Sequence, residues 1–238
     1  MHFLLSHLGF SYFCSKYGEI FFLNITNSYD IQLTDTNLVN IIFLVDSSSV
    51  ITPDGLVKEK GFVKALARAF QVPIMNSRMA VLLYGSFTMR SKRLTVYKSF
   101  NDFDNDVDSL RAIRGDRRMD LALKAAENLL QREESSTRNI VILLTTGRQA
   151  SGYRDEQLAD SGKAVRGVGV EVFVVAIGGE QNLEKLRSAV ADFQNIYQVG
   201  SLDYLKREAL PIGRDIIGGK SGMYLTIGKK LPFCFQLF

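Results

Sequence analysis

The sequence is poor in the residues on which most catalytic and metal centres depend. Its two histidines, His2 and His7, both lie at the extreme N-terminus. A Ser-His-Asp or Cys-His constellation in the body of the chain is therefore excluded, because no imidazole is there to act as base. A serine nucleophile with a lysine base remains open on composition, but no local motif suggests one. The two cysteines, Cys14 and Cys234, stand near opposite ends without CxxC spacing, which leaves a zinc or dithiol site nothing to rest on. They are two separate thiols, or a bridge tying the tails in an oxidising compartment. No uninterrupted apolar run reaches the length of a membrane span. An excess of one charge is missing too. The 29 Lys and Arg are interleaved with 25 Asp and Glu for a net +4. Without a concentrated basic patch, nucleic acid and acidic lipid are unsupported as partners.

What is present suits one sizeable α/β domain with tails: 238 residues, 46% hydrophobic and 23% charged. Residues 1–34 and 218–238 fall outside the regular pattern and read as tails; residues 35–217 read as the domain. His2 to Phe13 is apolar enough for a leader but lacks a basic start and a clean cleavage site, so a partial leader and none at all both remain open. Asn24-Ile25-Thr26 is an acceptor sequon that would fit a secreted chain.

From Leu38 the pattern is regular. Leu38 to Val45 is a nearly continuous apolar run ending in the polar turn Asp46-Ser47-Ser48-Ser49, as a strand buried on both faces would. Pro53 and Asp54 open a helix on which Phe62, Ala65, Leu66, Ala69 and Phe70 recur at helical spacing, and Pro73 ends it. Further strands are expected at Met79 to Tyr84, Ile140 to Leu144, Val170 to Ile177 and Ile196 to Val199. Arg93 to Lys98 alternates apolar and polar residues, which predicts a half-exposed antiparallel edge strand. Helices are expected over Phe103 to Ile113, Met119 to Gln131, Asp155 to Arg166, Leu183 to Phe193 and Leu202 to Ile212. Strands alternating with helices predict a Rossmann-like, doubly wound, mostly parallel sheet with helices on both faces.

Two phosphate-loop look-alikes fail on context. Gly219-Lys220-Ser221 resembles the end of a Walker A loop, but Arg214 stands at the earlier glycine position and a helix precedes it. Gly167-Val168-Gly169 opens like a dinucleotide fingerprint, but Val172 takes a glycine's place and the segment leads into a strand.

The strand ending in Asp46-Ser47-Ser48-Ser49-Val50 and the helix carrying Phe62-Val63-Lys64-Ala65-Leu66 resemble the opening of von Willebrand factor type A domains. Arg78 to Gly85, Arg111 to Ile113 with Met119 to Leu123, Ile140 to Gly147 and Val172 to Gly178 continue the resemblance in order, over about Leu38 to Ile216. The family usually builds a metal-ion-dependent adhesion site from an Asp and two Ser of the first loop, a Thr of the second and an Asp of the third. Hard oxygen ligands of that kind suit Mg²⁺ or Mn²⁺. Here Asp46 and Ser48 match. The second serine position falls on Val50, unless Ser49 moves in; the threonine position falls on Arg117, and the last aspartate on Thr146. The resemblance thus implies a degenerate site with no cofactor, in which Asp46 takes Arg117 as ion-pair partner, with Arg118 second.

It also implies a non-catalytic adhesion module, secreted or matrix-associated, whose partner is a protein such as a collagen-like matrix component. Arg114-Gly115-Asp116 adds a tripeptide that many integrins bind. A cation-dependent domain with a rearranged Asp46 loop, an intracellular scaffold subunit and a Rossmann-like enzyme are the alternatives.

Overall fold

The structure, a computed structural model, describes residues 39–70, 77–90, 92–131, 137–147, 155–179, 183–190 and 193–218. Cys14, Asn24, Pro73, Gly219 to Ser221 and Cys234 lie outside the described residues.

Strand β1 spans Val39–Asp46 and is buried along its whole length. Helix α1, Pro53–Ala69, starts where Thr52 caps it by accepting the Gly55 N–H, with Pro53 in the first turn, where no N–H is needed. Then come β2 (Ser77–Tyr84), β3 (Thr88–Arg90), α2 (Phe100–Ser109), α3 (Met119–Leu130), β4 (Arg138–Thr145), α4 (Asp155–Gly167), β5 (Val170–Ile177), α5 (Leu183–Val190), β6 (Ile196–Val199) and α6 (Leu205–Gly218).

The strands form one sheet in the order β3-β2-β1-β4-β5-β6, all parallel except β3, which runs antiparallel to β2. Because side chains alternate across a strand, β1 divides its residues between two cores. Ile41, Phe43 and Val45 pack under α1, α2 and α6, whereas Ile42 and Leu44 pack under α3, α4 and α5. A continuous apolar strand is what a sheet covered on both faces requires. No described helix is long and apolar enough to cross a membrane.

The antiparallel edge strand is displaced from its expected place. It is Thr88–Arg90, and from Arg93–Lys98 only Thr95 reaches the sheet, in an isolated bridge to Met79. The alternation there has another cause. Tyr97 is buried edge-on against Phe103 of α2, 5.1 Å between ring centroids, and its hydroxyl donates to Asp106 at 2.5 Å. Packing on a helix gives the same inside–outside pattern as pairing in a sheet.

Helix boundaries shift as well. Helix α2 begins earlier than expected because Ser99 caps it, and ends at Ser109 because Leu110 is already extended. Helix α5 stops at Val190, leaving Phe193 in a 3₁₀ turn, and α6 follows a 3₁₀ turn at Leu202–Tyr204 and runs through Pro211.

Candidate functional site

In an open parallel sheet the crevice for ligands lies beyond the carboxyl ends of the strands. Four loops meet there: those after β1, β2 and β4, and the one between α2 and α3. Asp46 closes β1 and its side chain is wholly buried. Its Oδ1 accepts the Ser48 N–H at 3.0 Å, and its Oδ2 accepts Arg117 Nε–H at 2.6 Å. The same guanidinium donates from Nη2 to Thr146 Oγ at 2.8 Å, so Arg117 ties the loops after β1 and β4 to the one before α3. Gly147 makes room for it: a Cβ there would stand 2.5 Å from Arg117 Nη1. Arg118 turns to Asp120 instead, with bonds of 2.9 and 2.6 Å.

The serines of the first loop divide their work. Ser47 Oγ accepts the Ile113 N–H and its carbonyl the Arg114 N–H, each at 2.8 Å. Ser49 exchanges bonds with Gly115, giving its N–H to the carbonyl at 2.9 Å and accepting the amide on Oγ at 2.8 Å. Ser86, after β2, accepts the Asp116 N–H at 2.8 Å and donates its own to the Arg114 carbonyl at 3.1 Å. Arg114, Gly115 and Asp116 are therefore exposed side by side on a loop whose backbone is pinned. The pinning holds Arg114 and Gly115 in left-handed conformations, φ +69° and +78°. Ser48 Oγ is buried without a hydrogen-bond partner among the described residues, and Val50 is 66% exposed.

The sequence model of the von Willebrand factor type A domain matches residues 40–207. The chain belongs to that family. Mouse collagen alpha-6(VI) chain is 24% identical over 196 residues, which is 79% of this chain and 8% of the relative. Collagen alpha-1(VI) chain of Gallus gallus is 25% identical over 175 residues, 72% of this chain and 17% of that one. This type A chain thus spans less than a fifth of either relative's length. Proximal thread matrix protein 1 from the mussel byssus, with zinc in its adhesion motif, superposes with a TM-score of 0.66 at 18% identity, covering 76% of this chain and 48% of its own. That likeness is one of fold.

The family's cation needs several oxygen ligands and a net negative cage. In this type A domain the Asp46 carboxylate is bound to a guanidinium, the Thr146 hydroxyl accepts from the same group, and Ser49 is spent on Gly115. No cluster of three His, Cys, Asp or Glu side chains suited to a metal occurs among the described residues. Arg117 thus occupies one oxygen of Asp46 and the hydroxyl of Thr146, two of the positions from which the family draws cation ligands.

A further carboxyl lies beneath the loop. Glu59 of α1 is wholly buried, and neither oxygen makes a well-formed hydrogen bond among the described residues. Burial pushes its pKa well above the carboxylate range, the Asp46 charge adds to this, and the Asp46 backbone and Arg117 charge oppose it. Neither Glu59 nor Lys60 was singled out from the sequence. The signal was available, because both fall between Leu56 and Val63 on the inward stripe of α1.

The sign of the pH effect follows. An unfolded Glu titrates near ~4.3, and the folded one higher, so between those values the folded state holds more protons and stability falls as pH rises. Glu59→Met should remove this slope and stabilise the domain by about 1–2 kcal/mol at pH 8, relieving an unsatisfied buried group. Urea unfolding of both proteins at pH 5 and pH 8 measures it. An unchanged difference between the two pH values would contradict the assignment.

Proposed function

We propose that this domain is a non-catalytic protein-binding module of a secreted, matrix-associated protein, and that it engages its ligand without a divalent cation. The observation that carries the reading is the Arg117 guanidinium bonded to both Asp46 and Thr146, a fixed positive charge within the loops where the family places its metal. A guanidinium spans two acceptors and carries its charge permanently, so it neutralises Asp46 without an exchangeable ion. The collagen VI relatives support the matrix setting and a collagen-like or other matrix protein as ligand. Absence of histidine from residues 8–238 supports a role other than imidazole-based catalysis.

Binding of the full chain to immobilised matrix extract, with Mg²⁺ and with EDTA, tests this. Equal binding in both is expected, together with almost no thermal shift in millimolar Mg²⁺ or Mn²⁺. An intact site of micromolar affinity would gain about 4 kcal/mol at a thousandfold excess. The unpartnered Ser48 Oγ is the feature that favours the opposite, cation-dependent reading. Saturable stabilisation by Mg²⁺ that Asp46→Ala abolishes would establish that reading instead.

A further inference from the structure

Beside the Asp46 loop, between the start of α1 and the loop before α3, is a pocket of about 130 Å³. Ile51, Pro53, Leu56 and Val57 supply apolar walls, and Lys60 and Arg114 also line it. Its volume is that of a single side chain, since a cavity of about 150 Å³ accommodates benzene.

Its two cations are unusual. Lys60 is only 9% exposed, and its ammonium donates to the backbone carbonyls of Asp108 at 3.2 Å and Leu110 at 2.5 Å. An ammonium has three N–H donors, so one remains. Among the described residues the nearby Asp108 carboxylate is bonded to Lys64, and burial lowers the Lys60 pKa against the pull of the Asp108 charge. Buried cations ordinarily have an anionic partner. Arg114 is exposed, and its guanidinium makes no hydrogen bond or ion pair among the described residues. Its backbone is held by Ser47 and Ser86, which fixes the point from which the guanidinium extends.

We propose that this pocket receives an acidic side chain, a glutamate, of the protein ligand. The carboxylate is taken by Lys60 and Arg114, and the methylenes lie against Ile51, Leu56 and Val57. A carboxylate on a short apolar stem matches both the charge and the walls. The inference rests on the protein-binding reading and names the partner chemistry it uses.

The test is an NMR titration of the full chain in EDTA with N-acetyl-glutamate N-methylamide, using the glutamine analogue as control. Saturable shifts at Lys60, Arg114 and Val57 are expected for the glutamate probe, and binding at least about tenfold weaker for the glutamine one. Arg114→Gly is the informative variant, because glycine adopts φ +69° without strain while removing the guanidinium. It should hold or raise the melting temperature and still weaken glutamate binding about tenfold, the loss expected for one charge-assisted contact. Asp116→Ala should leave binding unchanged. Equal response to both probes, shifts that do not saturate, or undiminished binding by Arg114→Gly would each overturn the proposal. Matrix binding that survives Arg114→Gly would also overturn it while the protein-binding function stands. A wild type that takes the glutamate probe but no matrix protein would support the pocket and remove the broader function.

Discussion

Arg117→Ala should lower the stability of the domain by about 3–5 kcal/mol, the usual consequence of removing one partner from a buried ion pair. The large effect comes from what is left behind. Asp46 is wholly buried, and without Arg117 its Oδ1 retains the Ser48 N–H while Oδ2 loses its 2.6 Å bond. Thr146 loses a donor in the same step, and Glu59, which already feels the Asp46 charge, loses the cation that opposes it. Against a margin of about 5–15 kcal/mol for an ordinary domain, this is a substantial fraction. At this size it corresponds to a fall in melting temperature of roughly 6–20 °C. Asp46→Ala with Arg117→Ala should cost less than the two single changes summed, because the double variant leaves neither charge stranded. Denaturant unfolding of the four proteins completes the cycle. Strict additivity, or an Arg117→Ala protein within about 1 kcal/mol of wild type, would mean that the guanidinium rests on the loops without holding them.

Leu143→Asp is expected to do more, and to abolish cooperative unfolding altogether. Leu143 sits in β4, opposite Leu44 of β1 and Val174 of β5, with no exposed surface. Its side chain belongs to the core beneath α3, α4 and α5, whose described members are apolar apart from the Tyr84 hydroxyl, already given to the Leu144 carbonyl. A carboxylate there gains no cation from that core, and its desolvation of several kcal/mol is comparable with the whole stability of the domain. Leu143→Ala provides the scale, since it creates a cavity without a charge and should cost about 2–5 kcal/mol. Near-UV circular dichroism and heat unfolding distinguish the three proteins. A Leu143→Asp variant that melts cooperatively near wild type would place β4 outside the centre of the sheet.

Errors at the sequence level cluster where a local pattern has two physical causes. Arg93 to Lys98 alternates because Tyr97 packs on α2, and pairing at the sheet edge would write the same alternation. Phe193 continues the helical spacing of α5, yet the helix ends at Val190. The site divides in the same way. Asp46, Ser48, Arg117 and Thr146 were legible as loop positions, since each lies at a fixed step from a strand or helix that the pattern reveals. Glu59 and Lys60 were passed over because charged residues on an amphipathic helix ordinarily face solvent.

The sequence by itself determined the alternation of strands and helices, the burial of the central strands and the type A family. Each is written in short-range periodicity: unbroken apolar runs of five or six residues such as Ile140 to Leu144 and Val172 to Ile177, separated by helical stripes, are satisfied only by a sheet covered on both faces. The tertiary structure alone decided which groups meet. Ser49 and Gly115 lie 66 residues apart, and Lys60 and Leu110 lie 50. Contacts at such separations depend on how loops fold over the end of the sheet, where the direction of one backbone amide settles whether a serine is a ligand or a clasp. The pocket beside Lys60 exists for the same reason, as a space between two loops that no local pattern encodes.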